Sequence, residues 1–262
     1  MLLIIDYGNT NGVFAVIRGD ETVGRWRSAS DPRKTADEYA VWLTQLMSLE
    51  GLTPADIDGV MISNVVPLAQ RALVQLSQRY FKCEPLTVEQ AIARYPIEIR
   101  IAAPRQVGAD RIANAVGAHL RYEGAIILID FGTATTFDVI AADGAYEGGV
   151  IAPGINLSME ALFQAAAKLP RIAVEKPQQV IGSDTVTAMQ SGVFWGYIGL
   201  IEGLVSRIKA EYDRPMQVVA TGGLAPLFHG TTDAIDEVDA DITLRGLQRL
   251  YEANKGGAAQ PD

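Results

Sequence analysis

"LIIDYGNTNGVFAVI" (Leu3–Ile17) and "ILIDFGTATTFDVIA" (Ile127–Ala141) carry one design twice. An apolar strand ends in an aspartate, breaks on a glycine with short hydrogen-bonding side chains, and at once becomes a second apolar strand. Asp6 aligns with Asp130, Tyr7 with Phe131, Gly8 with Gly132, Asn9 with Thr133, Asn11 with Thr135 and Val13 with Phe137. The offset is a constant 124 residues (130 − 6). A device repeated half a chain later predicts a duplicated domain, with the boundary just before the second copy, near Tyr122. The expected units are residues 1–121 and 122–255. The tail over 256–262 has no apolar anchor and is expected to be disordered.

The intervening sequence reads as alternating strands and helices. Strands are expected over residues 2–6 and 12–17, and Thr35 with Glu38 forms a capping box that opens a helix. Tyr39, Trp42, Leu43 and Leu46 give that helix its apolar stripe, and Gly51 ends it. A buried strand (Gly59–Val66), a helix from Pro67 to Phe81 and a helix from Gly108 to Leu120 complete the first half. The second half offers strands over Ala125–Asp130, Thr136–Ala141, Tyr146–Ile151 and Gln217–Gly223. Its helices fall over Leu157–Ala167, Thr185–Lys209 and Leu244–Ala253. Strands alternating with helices predict an α/β layered fold, and the strand-turn-strand openings add antiparallel pairs, so both sheets should be mixed.

Composition narrows the function. With 262 residues, 48% hydrophobic and 20% charged, the chain can bury two modest cores. A net charge of −9, from 31 acidic and 22 basic residues, opposes binding to a polyphosphate backbone, so no nucleic-acid partner is expected. Cys83 is the single cysteine, which rules out an intramolecular disulfide. No apolar run has membrane-spanning length and no signal-peptide pattern opens the chain, so a cytoplasmic protein without a membrane partner is expected. The two histidines, His119 and His229, lie far from any nucleophile-elbow pattern, which argues against triad chemistry and a structural zinc site.

A carboxylate fixed at a strand end can hold a hydrated cation. The next glycine lets a ligand approach the backbone or supplies positive φ. The Asn and Thr side chains and amides beyond it can hold phosphate oxygens without a helix dipole. Each turn alone equally fits an ordinary β-hairpin; two at matching depth favour a nucleotide site. "VVATGGLAPL" (Val218–Leu227) adds a Gly-Gly step that can lie flat on a ring or ribose, or simply join strand to helix. No GxxxxGK[ST] occurs and no GxGxxG follows a strand, which excludes the P-loop and Rossmann devices. "GADR" (Gly108–Arg111) reads from its spacing as a helix start, with Asp on the dipole and Arg beside it. "GGVIAPG" (Gly148–Gly154) fits a pocket rim or a tight crossover. "SGVFWGYIGLIEGLV" (Ser191–Val205) places glycines in a helix at a cost of about 1 kcal/mol each relative to Ala, which close helix approach would offset.

Taken in order, "DYGNTNGVF", "VGADRIANAVGA", "LIDFGTATTFDVI", "GGVIAPG", "SDTVTAMQSGVFWG", "ATGGLAP" and "DADITLRGLQRLYE" span Asp6 to Glu252. This ensemble resembles the type III pantothenate kinases of the actin, sugar-kinase and heat-shock-ATPase superfamily. The resemblance implies two actin-like (ribonuclease H-like) domains with a nucleotide cleft between them. It also implies phosphorylation of pantothenate by ATP in coenzyme A biosynthesis. By that resemblance, Asp6, Tyr7, Gly8, Asn9, Thr10, Asn11, Gly12 and Val13 form an ATP-phosphate loop, and Thr133 is a second phosphate contact. Asp130 is the ligand of a monovalent cation, K+ or NH4+, and Asp6 holds Mg2+ through water. Gly108, Ala109, Asp110 and Arg111 bind pantothenate together with Thr185, and Asp110 accepts the proton. A homodimer is implied, with the glycine-rich helix as the obvious interface. Where many relatives carry a Tyr-Asp-Asn-Pro-like run, this chain has "IAAP" (Ile101–Pro104), without the aromatic or the amide. Two alternatives share the fold: a non-catalytic accessory protein of transcriptional regulation, and a kinase or phosphatase with another substrate. Retention of Asp6, Asp110, Asp130 and Thr133 counts against the first.

Overall fold

A computed structural model describes residues 1–95, 97–166 and 169–255. In chain order the elements are β1 (Leu2–Tyr7), β2 (Asn11–Arg18), β3 (Glu21–Ala29), α1 (Ala36–Leu49), β4 (Gly59–Asn64), α2 (Gln70–Tyr80), β5 (Pro85–Thr87), α3 (Val88–Ala91) and α4 (Ala109–Arg121). They continue as β6 (Ala125–Phe131), β7 (Ala134–Ile140), β8 (Tyr146–Pro153), α5 (Ile155–Ala165), α6 (Thr185–Tyr212), β9 (Met216–Gly222), α7 (Ala225–Phe228), β10 (Glu237–Val238) and α8 (Ile242–Lys255).

The duplication is visible in the strand order. One five-stranded sheet runs β3-β2-β1-β4-β5 and the other β8-β7-β6-β9-β10, the same order five labels on. In each, the first three strands pair antiparallel and the last two add in parallel. Both sheets are therefore mixed. The constant offset, however, holds only through the first arm of each hairpin. Ile5 pairs with Phe14 and Ile129 with Phe137, so the second arms correspond at 123 residues (137 − 14). The second turn is one residue tighter: Gly8 N–H donates to the Asn11 carbonyl at 3.1 Å, whereas Gly132 N–H donates to the Ala134 carbonyl at 3.0 Å. Phe137 thus matches Phe14 rather than Val13, and both phenylalanines are fully buried.

Alternation along the strands sets the cores. Leu3, Ile5, Tyr7, Phe14 and Val16 face Tyr39, Leu43 and Met47 of α1 and Leu73 and Leu76 of α2. In the second unit Ile127, Ile129, Phe131, Phe137 and Val139 face Ile155 of α5, Phe194, Ile198 and Ile201 of α6, and Phe228. Each fully buried Leu, Ile or Phe contributes roughly 1.5–3 kcal/mol of transfer free energy.

The second unit begins at Tyr122 but ends at Asp241, and Ile99–Ile101 joins it; Ile242–Lys255 belongs to the first unit. This corrects the expected span of 122–255, and the reason is helix packing. α8 crosses α4 so closely that a Cβ on Gly246 would overlap the Ala113 carbonyl and one on Gly117 the Ile242 carbonyl. Thr243 Oγ1 also donates to Asn114 Oδ1 at 2.6 Å. The tail expected over 256–262 lies outside the described residues. Gly246→Val should therefore separate the two helices and destabilise the chain by about 1–3 kcal/mol in urea unfolding; an unchanged midpoint would contradict this crossing.

Candidate active site

Asp6 is next to last in β1, the central strand of its sheet, and is flanked on both sides: Val13 of β2 and Ser63 of β4 are its cross-strand partners. The turn beyond it exposes Asn9, Thr10 and Asn11. Ser30 fastens that turn from outside, its N–H donating to the Thr10 carbonyl at 2.9 Å and its Oγ to the Gly8 carbonyl at 2.5 Å. Tyr7 points the other way. Its ring is fully buried, edge-on to Tyr39 with centroids 6.1 Å apart, and the two hydroxyls are hydrogen-bonded at 2.7 Å. Of the residues expected to form the phosphate loop, Tyr7 thus gives its side chain to the core.

The GADR segment meets the same end of the sheet. Val65 N–H donates to the Tyr7 carbonyl at 3.1 Å, and a Cβ on Gly108 would lie 3.8 Å from Val65 Cγ1. Gly108 in turn backs onto the Asp110 carboxylate, whose Oδ1 would be 2.5 Å from that Cβ. Ala109 is the buried first residue of α4, and Asp110 Oδ1 accepts from the Arg111 backbone N–H at 2.8 Å. Burial pushes the Asp110 carboxyl above the usual aspartate range, against the opposing pull of the Arg111 amide and charge. A carboxylate so tuned, at the C-terminal ends of β1 and β4, is a better proton acceptor than a solvated one.

In the second unit Asp130 is next to last in the central strand β6, paired with Thr136 of β7 and Thr221 of β9. Side chains of paired residues share a face, so a carboxylate and two hydroxyls stand on adjacent strands. That all-oxygen set suits a hard cation. Two glycines press on this turn. Gly222 has φ +90°, and a Cβ there would lie 2.6 Å from the Phe131 carbonyl oxygen and 2.8 Å from Asp130 Oδ1. Gly154 donates its N–H to the Thr133 carbonyl at 3.1 Å, and a Cβ there would overlap that carbonyl. The Gly-Gly step and the last glycine of GGVIAPG are thus packing surfaces for Asp130 and Thr133. Thr133 itself is exposed.

Thr185 belongs to a helix rather than to a hairpin turn. It is the first residue of α6, just after Asp184, whose Oδ1 caps the helix by accepting from Thr187 N–H at 2.9 Å. It lines a groove of about 680 Å³ between α5 and α6, with Ser158, Met189, Val193, Tyr197 and Leu200 among the other walls. Ser63, Thr136 and Thr221 were not identified from the sequence. Their signal is the register itself, which puts each beside a strand-end aspartate. Among the described residues no three His, Cys, Asp or Glu side chains gather as a metal centre, and no helix is long and apolar enough to cross a membrane.

Comparison with known proteins is consistent with this geometry. A family model described as type III pantothenate kinase matches residues 2–207. A type III pantothenate kinase of Phenylobacterium zucineum is 60% identical over 98% of this chain and 100% of its own length. That of Maricaulis maris is 60% identical over 98% of this chain and 99% of its own. Among solved structures, the activator of 2-hydroxyisocaproyl-CoA dehydratase from Clostridium difficile, with bound ADPNP, superposes with a TM-score of 0.54 at 14% identity. It covers 100% of this chain and 98% of its own, a likeness of fold.

The raised Asp110 carboxyl has a consequence for stability. Between the unfolded value of about 3.9 and the higher folded one, the native state holds the extra proton, so stability falls as pH rises and the charged form carries a penalty at neutrality. Asp110→Asn should raise the Tm at pH 7, and the gain should vanish once the pH is taken below about 4. A Tm at pH 7 equal to or below that of the parent would contradict a buried, penalised carboxylate.

Proposed function

Because the chain belongs to the type III pantothenate kinase family, we infer that it transfers the terminal phosphoryl group of ATP to pantothenate. The product is 4'-phosphopantothenate, at the first step of coenzyme A synthesis. The observation that carries the reading is the convergence of the Asp6 turn and the Asp110 helix start on one end of one sheet.

Phosphoryl transfer asks mainly for positioning and charge neutralisation. The turn from Asp6 to Val13 offers exposed Asn and Thr side chains and backbone amides to the ATP phosphates, and Thr133 offers a second contact. Asp110 accepts a hydrogen bond from the attacking pantothenate hydroxyl and takes its proton as the new ester bond forms. The Arg111 guanidinium presents a fork suited to the pantothenate carboxylate, with Gly108, Ala109 and Thr185 as further contacts. Asp6 would hold Mg2+ through water. Asp130, flanked by the Thr136 and Thr221 hydroxyls, would hold K+ or NH4+. A bound monovalent ion supplies positive charge that offsets the phosphate oxygens. The reaction belongs to the cytoplasm on this reading, in keeping with a single unpaired cysteine.

The glycine-rich helix supports self-association. A Cβ on Gly192, Gly196 or Gly199 would meet nothing within 4 Å. The close approach that these glycines permit is therefore not made by the described residues of the same chain. Exposed Leu157, Leu162 and Val186 border the same region, and a second copy of the chain is the partner we assign to it.

Purified protein should consume ATP only when pantothenate is present, with stimulation by potassium or ammonium, and Asp130→Ala should abolish that stimulation. Turnover with a sugar instead, or potassium dependence intact in the variant, would remove the substrate or the cation assignment respectively. For the dimer, Gly196→Arg should convert a two-chain species into a monomer by sedimentation velocity; a monomeric parent would sink the interface.

A further inference from the structure

We propose that Asp138 is a positioning residue for the monovalent cation: it takes the proton of the Thr136 hydroxyl, so that the Thr136 oxygen presents only lone pairs beside Asp130. The inference rests on the reading of Asp130 as the cation ligand and deepens it. Strand alternation fixes the face. Ile127, Ile129, Phe137 and Val139 turn toward the core that contains α6, which sends Leu128, Asp130, Thr136 and Asp138 to the other face of the sheet. Register pairs Asp130 with Thr136 and Leu128 with Asp138. The Cβ atoms of Asp130 and Thr136 are therefore about 4.5–5.5 Å apart. Asp138 lies two residues, roughly 7 Å, further along β7 from the turn. It stands one step deeper in the sheet than the site, with Thr136 between.

Asp138 is fully buried. A carboxylate in such a place is costly unless its oxygens are bonded, and each accepts from a hydroxyl. Oδ1 accepts from Tyr146 Oη at 2.8 Å and Oδ2 from Thr136 Oγ1 at 3.2 Å. Tyr146 is buried as well, paired with Ile140, and its carbonyl accepts from the Arg100 N–H at 2.8 Å. A tyrosine fixed in this way holds one carboxylate oxygen in place and turns the other toward Thr136.

A threonine hydroxyl carries one proton and two lone pairs. Because that proton is donated to Asp138, the Thr136 oxygen can only accept on the side of Asp130. An Asp130 carboxylate and a Thr136 lone pair on adjacent strands repel each other and are reconciled by a cation between them. Donation to a carboxylate also makes the Thr136 oxygen more electron-rich, the device by which outer partners raise the basicity of metal ligands. With an apolar residue at 138, the Thr136 proton would turn to the Asp130 carboxylate and close the site as an ordinary hydrogen bond.

The test reads potassium binding rather than turnover. The Tm would be followed as choline chloride is replaced by potassium chloride at constant ionic strength, with magnesium and a non-hydrolysable ATP analogue present. The half-saturating potassium concentration reports the ion's affinity whatever the stability of a variant without it. Asp138→Leu and Thr136→Val should each raise that concentration about 10–100-fold. Thr136→Ser, which keeps the hydroxyl, should stay within about threefold of the parent, and Asp138→Asn, which keeps one acceptor oxygen, should fall between parent and Asp138→Leu. Because Asp138 acts through Thr136, the double variant Asp138→Leu/Thr136→Val should be no worse than Thr136→Val alone. An unchanged potassium requirement in Asp138→Leu, or losses that multiply in the double variant, would overturn the positioning role. Should Asp138→Leu not fold, Asp138→Asn takes its place in the same cycle, and losses that multiply with Thr136→Val overturn the role equally. Asp130→Ala tests the underlying reading. A potassium response intact in that variant, or absent from the parent, removes the cation assignment and the inference with it. A response lost in Asp130→Ala but unaltered by every change at 138 removes the positioning role alone.

Discussion

A strand hydrogen-bonded on both sides cannot shift its end without breaking two ladders at once, and this constraint places both Asp6 and Asp130. β1 and β6 are each the third of five strands, paired antiparallel on one side and parallel on the other. Asp6 and Asp130 are next to last in those strands, so backbone register fixes where their side chains leave the sheet. A carboxylate held in that way can meet a cation or a phosphate-bound ion without first paying for its own ordering, the condition for useful preorganisation. The C-terminal ends of the parallel neighbours reach the same edge, and α4 delivers Asp110 beside Val65 there.

Much of this was legible in the sequence, because apolar strands, an acidic strand end and glycine turns are local signals. The doubled motif gave the duplication, and the capping box of α1 was found where Thr35 and Glu38 predicted it. What escaped was set by distant partners. β3 carries Arg25 and Arg27 between Gly24, Trp26 and Ser28 and lies at a sheet edge, so its pattern is not that of a buried strand. β5 and β10 are too short for any periodicity to register. The slip from 124 to 123 residues between the hairpin arms is invisible without pairing, because both alignments put apolar residues against apolar residues. The same holds for α8, whose attachment to the first unit depends on Gly117 and Gly246 meeting from positions 129 residues apart (246 − 117).

Residue roles proved harder to read than elements. Tyr7 falls inside a motif whose Asn9, Thr10 and Asn11 are exposed, yet alternation sends its ring to the core and leaves only its backbone at the turn. Burial and the bond to Tyr7 push the Tyr39 hydroxyl upward from its ordinary value, and the two rings act as packing. Conversely, Gly222 and Gly154 read as loop glycines but are contact surfaces, each set where a side chain would collide with the backbone of the second turn. A motif match names positions; only the strand face decides which atoms of those positions meet a ligand.

The two hairpins have diverged in how their turns are held, and the difference bears on the division of labour. The second turn is the tighter, with Gly222 against Asp130 Oδ1 and Gly154 against the Thr133 carbonyl. A site of that kind suits an ion of fixed coordination distance. The first turn is one residue longer and is gripped from outside by serine hydroxyl and amide bonds. Duplication supplied two equivalent strand ends, and different residues brace the turn at each, two glycines at one and Ser30 at the other.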